Sequence, residues 1–145
     1  MQQFTNRTYD EIEVGASDSV TRTLTATEVE ALSLVAGDVE SFHLDLADDA
    51  MPGEASAPGA AATALIVGIL NCRLPGPGSA IVGTHFKYHG RVRVGDAVTA
   101  KVTANAKHPQ HRRIDFACTV TNADGKVLVE GVATVAAPTK RVAYG

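Results

Sequence analysis

The chain has 145 residues, 45% of them hydrophobic and 20% charged, enough for one globular domain with a core and too little for two. Its net charge of −3 argues against unspecific nucleic-acid binding, because neutralising phosphates takes a clustered excess of Lys and Arg. The opening MQQFTNRTYDEIEVG has neither the basic start nor the apolar run of a secretory signal, and no later run approaches a membrane span. The expectation is one cytoplasmic domain over residues 1–145, with no membrane and no nucleic-acid partner. Cys72 and Cys118 form no CxxC pair and stand in apolar contexts, so both read as buried free thiols.

In chain order, SVTRTLT reads as an early strand. Thr25 and Glu28 then stand at capping-box spacing, with Val29, Leu32 and Val35 on a helical period behind them, which predicts a short amphipathic helix ending near Gly37. The loop that follows begins at Asp38 and holds His43 five positions on, with Glu40 between them. Pro58, Gly59 and AAATALIVGIL come next. Pro is tolerated in a first helical turn, and a run apolar on nearly every side predicts a helix enclosed by other structure.

LPGPGS (74–79) is a stop, and beyond it SAIVGTHFKY, GDAVTAKVTA, RRIDFACTVT and KVLVEGVATVA all favour strands. Ile114, Phe116, Cys118 and Val120 alternate with polar or small residues, so one face of their strand is core. NADG (122–125) is a hairpin turn, and KHPQH, with His108 and His111, reads as a solvated hairpin loop. The predicted order is strand, short helix, loop, buried helix, then a meander of strands. This is an α+β architecture in which a curved antiparallel sheet wraps one central helix.

GDVESFH (37–43) resembles the GDxNPxH motif of the MaoC-like dehydratases, the hot-dog-fold family that includes (R)-specific enoyl-CoA hydratases. The similarity continues in order through PGAAATALIVGIL, LPGPGS and FKYHGRVRVGD. The opening NRTYDEIEVG and the closing VLVEGVATVAAPTK are also similar to MaoC domains found fused to phosphate acyltransferases. The resemblance implies a hot-dog fold and reversible hydration of a trans-2-enoyl thioester, carried by coenzyme A or acyl carrier protein, without cofactor or metal. It also implies a homodimer or higher even oligomer with the site at the pair's interface.

By the same resemblance, Asp38 and His43 hold the catalytic water and exchange its protons, and the backbone N–H of Gly59 stabilises the enolate oxygen. Base, acid and oxyanion donor are the three groups the reaction needs. A helix N-terminus supplies unpaired N–H groups and a positive dipole end, and Gly permits close approach. Three positions depart from the family pattern: Glu40 and Ser41 replace Asn and Pro, and Pro58 replaces the usual His. A third ionisable group at Glu40 raises carboxylate pKa values and favours imidazolium. The alternative functions are a non-catalytic acyl-thioester-binding or assembly domain and a hot-dog thioesterase. Lys87, Arg91 and Arg93 are candidate contacts for coenzyme A phosphates, with an ordinary charged strand face equally compatible. His85 and His89 could share a face with Lys87, but nothing completes a metal site there.

Overall fold

The computed structural model describes residues 4–28, 31 and 59–144. In chain order these form β1 (Phe4–Thr5), β2 (Ser17–Thr23), the helix α1 (Gly59–Cys72), β3 (Ala80–Tyr88), β4 (Ala97–His108), β5 (Arg113–Asn122), β6 (Val127–Ala136) and β7 (Ala143–Tyr144). β1 and β7 pair as a two-stranded ribbon. The other five strands make one antiparallel sheet in the spatial order β2-β4-β5-β6-β3. α1 touches every strand of that sheet. Five strands span about 19 Å at their usual spacing, while a helix is about 10 Å across, so the sheet must curve around the helix to reach it from both edges.

The period-two pattern decides which face turns inward. Ile114, Phe116, Cys118 and Val120 on β5 are buried, as are Val98, Ala100, Val102 and Ala104 on β4 and Val129, Ala133 and Val135 on β6. Register pairs such as Phe116 with Ala133 and Ile114 with Val135 place these side chains on one face. Against them α1 sets Ala61, Ala62, Leu65, Ile66, Ile69 and Leu70, a single helical face. The small residues at Ala61, Ala62, Ala100 and Ala133 let backbone approach backbone.

Three expectations need correction. Only β4, β5 and β6 form a meander: β3 crosses to the far edge beside β6, and β2 takes its place beside β4. Non-local pairing of this kind leaves no local pattern to read. The central helix is not enclosed, since a sheet wraps one side only and Val67, Gly68, Asn71 and Cys72 on the other side are exposed. Cys72 is therefore not buried. Cys118 is, and burial pushes its thiol up to about 11.

The two ends of the chain close over one corner. Asn6 is 2% exposed; its amide nitrogen donates to the carbonyls of Pro77 and Lys140, both at 2.9 Å, and its Oδ1 accepts from the Val142 N–H at 2.8 Å. One buried amide thus ties together the N-terminal segment, the loop after α1 and the C-terminal segment. The NADG turn is present, with the Gly125 N–H donating to the Asn122 carbonyl at 3.0 Å.

Candidate active site

The helix predicted after Thr25 starts where expected, with residues 26–28 helical. The Thr25 hydroxyl accepts from the Glu28 N–H at 3.2 Å, and Glu28 Oε1 accepts from the Thr25 N–H at 3.3 Å, the reciprocal bonds of a capping box. Hydrogen bonds from Thr25, first from its backbone, hold the Glu28 carboxyl below its ordinary range, helped by Arg22. Asp38 and His43, together with Glu40, Ser41 and Pro58, lie outside the described residues.

Gly59 is the first residue of α1. The first four N–H groups of a helix have no acceptor within it, and the first turn here contains no acidic residue to neutralise the positive dipole end. That end is oriented by the other. Arg73 and Leu74 donate backbone N–H bonds to the Ile69 carbonyl at 2.8 and 2.9 Å, and Gly76 N–H donates to the Leu70 carbonyl at 3.0 Å. The Ser79 hydroxyl donates to the same Leu70 carbonyl at 3.1 Å. Arg73 also pairs with Asp18 on β2 at 2.9 Å. The loop returns only through glycine: Gly76 has φ +92°, and a Cβ there would lie 2.8 Å from the Thr5 carbonyl oxygen.

Beside this helix, β3 presents a less buried face than β4, β5 and β6 do. Thr84, Phe86 and Tyr88 on β3 pair in register with Ala133, Gly131 and Val129, so they point to the helix side. Thr84 is nevertheless exposed, Phe86 half-buried and Tyr88 56% exposed. The helix-side face of β3 therefore keeps exposed surface at Thr84 and Tyr88.

The other candidates fall elsewhere. Lys87 and His85 share the outer face of β3, opposite Glu130 and Val132 of β6, and these four residues help line a shallow depression of about 340 Å³. His89 sits 3.0 Å from Glu130. Arg91 and Arg93 are exposed on either side of the buried Val92. Among the described residues no group of three or more His, Cys, Asp or Glu is placed to hold a metal ion. His108 is the last residue of β4, outside the turn; its Nε2 lies 2.9 Å from Asp115 Oδ2. The Thr134 hydroxyl donates to the other carboxylate oxygen at 2.8 Å. His108 and then Thr134 hold the Asp115 carboxyl below its ordinary value. No helix among the described residues is long and apolar enough to cross a membrane.

A curved five-stranded antiparallel sheet around one helix defines the hot-dog fold. No protein-family model matches the chain. It is 33% identical over 134 residues to an (R)-specific enoyl-CoA hydratase of Rhodospirillum rubrum, covering 91% of this chain and 92% of that one. It is 31% identical over 137 residues to a 3-hydroxybutyryl-CoA dehydratase of Methylorubrum extorquens, covering 93% and 87%. The solved structure of the R-hydratase PhaJ1 from Pseudomonas aeruginosa, in unliganded form, superimposes with a TM-score of 0.90 at 29% identity, covering 99% of this chain and 94% of that one. The chain belongs to the MaoC-like (R)-specific enoyl-CoA hydratase family and is an enzyme of the hydratase (lyase) type.

Proposed function

We propose that the enzyme adds water reversibly to a trans-2-enoyl-CoA thioester to give the (R)-3-hydroxyacyl-CoA, with Asp38 and His43 activating the water. The observation that carries this reading is the 33% identity to an (R)-specific enoyl-CoA hydratase along almost the whole of both chains. The geometry at Gly59 supports it. Water adds at the β-carbon while a proton goes to the α-carbon, and between these events negative charge gathers on the thioester oxygen. Amides in the first turn of α1, which contains no acidic residue, stabilise that charge without reorganising. The pair takes a proton from water and returns one to carbon, so no cofactor is needed.

The exposed helix-side surface of β3 at Tyr88, beside the half-buried Phe86, suits the acyl chain. The enzyme works as a homodimer or a higher even oligomer in the cytoplasm. Among the described residues β3 is an edge strand that carries Val82, 46% exposed, and Tyr88, an aggregation liability unless another strand covers it.

The test is incubation with crotonyl-CoA, following enoyl absorbance, free thiol and product handedness together. Loss of absorbance without thiol release, yielding the (R)-hydroxy product, is expected. Thiol release would make the protein a thioesterase, and binding without turnover a carrier or assembly domain.

A further inference from the structure

The outer face of the sheet, turned away from α1, carries two regular cross-strand rows. The first reads Ser19, Lys101, Thr119, Glu130 and Lys87 from β2 through β4, β5 and β6 to β3. The second, beside it, reads Ser17, Thr103, Ala117, Val132 and His85. Small side chains occupy the middle of this face: Ala117 is exposed, Val132 is 39% exposed, and the shallow depression of about 340 Å³ lies among them.

The charges of the first row stand symmetrically about β5. Lys101 and Glu130 flank Thr119, each one strand away, so two strand spacings, about 10 Å, keep them from pairing within the chain. Lys101 is exposed and has no acidic partner among the described residues, while Glu130, also exposed, meets the His89 ring at 3.0 Å. A two-fold axis lying in this face along β5 carries β4 of one copy over β6 of the other. It sets Lys101 against the second copy's Glu130, and Glu130 against the second copy's Lys101. Moved over β4 or β6, the axis would instead bring Lys101 or Glu130 onto its own copy. Along β5 only Thr119 and Ala117 meet themselves, and side chains of that size let two sheets pack at the usual separation of about 10 Å. The next outer residue of β5, Asp115, also approaches its copy, and His108 and Thr134 already hold its two oxygens.

We infer that the outer face of the sheet docks a second copy of this chain, through reciprocal Lys101–Glu130 contacts about a two-fold axis along β5. The self-complementary order of the charges selects a copy over another partner: a uniformly acidic or basic surface would meet a charge of its own sign two strands from the one it pairs with. The contact is separate from the pairing proposed for the β3 edge. The sheet curves away on both sides, so β4, β5 and β6 carry the contact and charge dominates it.

Sedimentation of the full-length protein over a concentration series tests this, with melting curves recorded for each variant. Lys101→Glu and Glu130→Lys each replace the two reciprocal contacts by like-charge ones, and should each dissociate to half the parent's mass at about tenfold or higher concentration than the parent does. The double variant Lys101→Glu/Glu130→Lys exchanges the signs and should recover the parent's association, which a misfolded chain would not. Ala117→Arg, which sets a cation against itself on the axis, should dissociate as the single reversals do, and Lys126→Glu, on the β5–β6 turn, should not. With the β3 edges also paired the step is tetramer to dimer, and without them dimer to monomer, so the two contacts fail separately. The inference is overturned if either reversal or Ala117→Arg keeps the parent's association, if the exchange fails to restore it, or if Lys126→Glu weakens it as much.

Discussion

Gly131 of β6 and Phe86 of β3 are register partners, and no side chain fits at the glycine. A Cβ on Gly131 would sit 2.0 Å from the His85 carbonyl oxygen and 2.8 Å from both Cα and Cδ1 of Phe86. The Phe86 ring occupies the space that a side chain at 131 would need, and the neighbouring backbone cannot yield it. Gly131→Ala is expected to destabilise the protein by about 2 kcal/mol or more, the upper range for overpacking against backbone. Denaturant titration of parent and variant gives the value. Equal midpoints with equal slopes would count against the clash.

Asn6 is expected to behave as a single-residue fastener. Asn6→Ala leaves the Val142 N–H and the Pro77 and Lys140 carbonyls without their buried partner. The cost is about 2–4 kcal/mol, given that each stranded group forfeits its desolvation. Amide exchange at Val142 should accelerate far more than exchange at Phe116 in the core. Uniform acceleration would show that Asn6 supports the whole fold rather than the chain ends.

Acid sensitivity follows from Asp115, whose carboxyl is held below the ordinary value of 3.8 by hydrogen bonds from His108 and Thr134. A depressed folded-state pKa contributes stability that is present above the unfolded-state value and lost as pH falls through the folded one. Asp115→Asn should therefore melt lower than the parent at pH 7, and the gap should narrow as pH drops below about 4. A gap independent of pH between 7 and 3 would assign the effect to lost shape, not charge.

For the proposed catalytic pair, Asp38→Asn and His43→Ala should each lower hydration of crotonyl-CoA by about 100-fold or more, with thioester binding nearly unchanged. Glu40 adds a pH prediction. Its negative charge beside the pair would raise both pKa values, so less of the proton-accepting form exists at a given pH. The parent's optimum should lie above that of Glu40→Asn. Superimposable pH–rate profiles would place Glu40 outside the site.

Sedimentation should find the protein as a dimer or a higher even oligomer at micromolar concentration, since β3 is an edge strand among the described residues. A well-folded monomer under those conditions would overturn the pairing.

The local features were legible because their causes are local. The alternation from Ile114 to Val120, the capping box of Thr25 and Glu28 and the NADG turn each depend on neighbours a few residues away, and each is present. The strand order was not legible, because β3 pairs with β6 across the whole of β4 and β5 in sequence. Asn6 gave no signal either: its partners lie 71, 134 and 136 residues along the chain. His108 looked like a loop residue until Asp115, seven positions on, was seen to hold it. Of the site, the position of Gly59 could be read from the Pro-Gly that precedes an apolar run. The proposed pairing of Asp38 with His43 rests on motif resemblance, since no periodicity specifies which loop side chains converge.

The helix α1 is one element of 14 residues, about 20 Å long at the usual rise per residue. Ala61, Ala62, Leu65, Ile66, Ile69 and Leu70 seat it along its length, and the 73–79 loop fixes its last turn through the Ile69 and Leu70 carbonyls. A tilt of about 3° about that last turn carries Gly59 through about 1 Å, and a misplacement of that size can cost a reaction about 100-fold in rate. Under the role proposed for Gly59, the bonds that Gly76 and Ser79 make to the Leu70 carbonyl therefore bear on turnover from the other end of the helix.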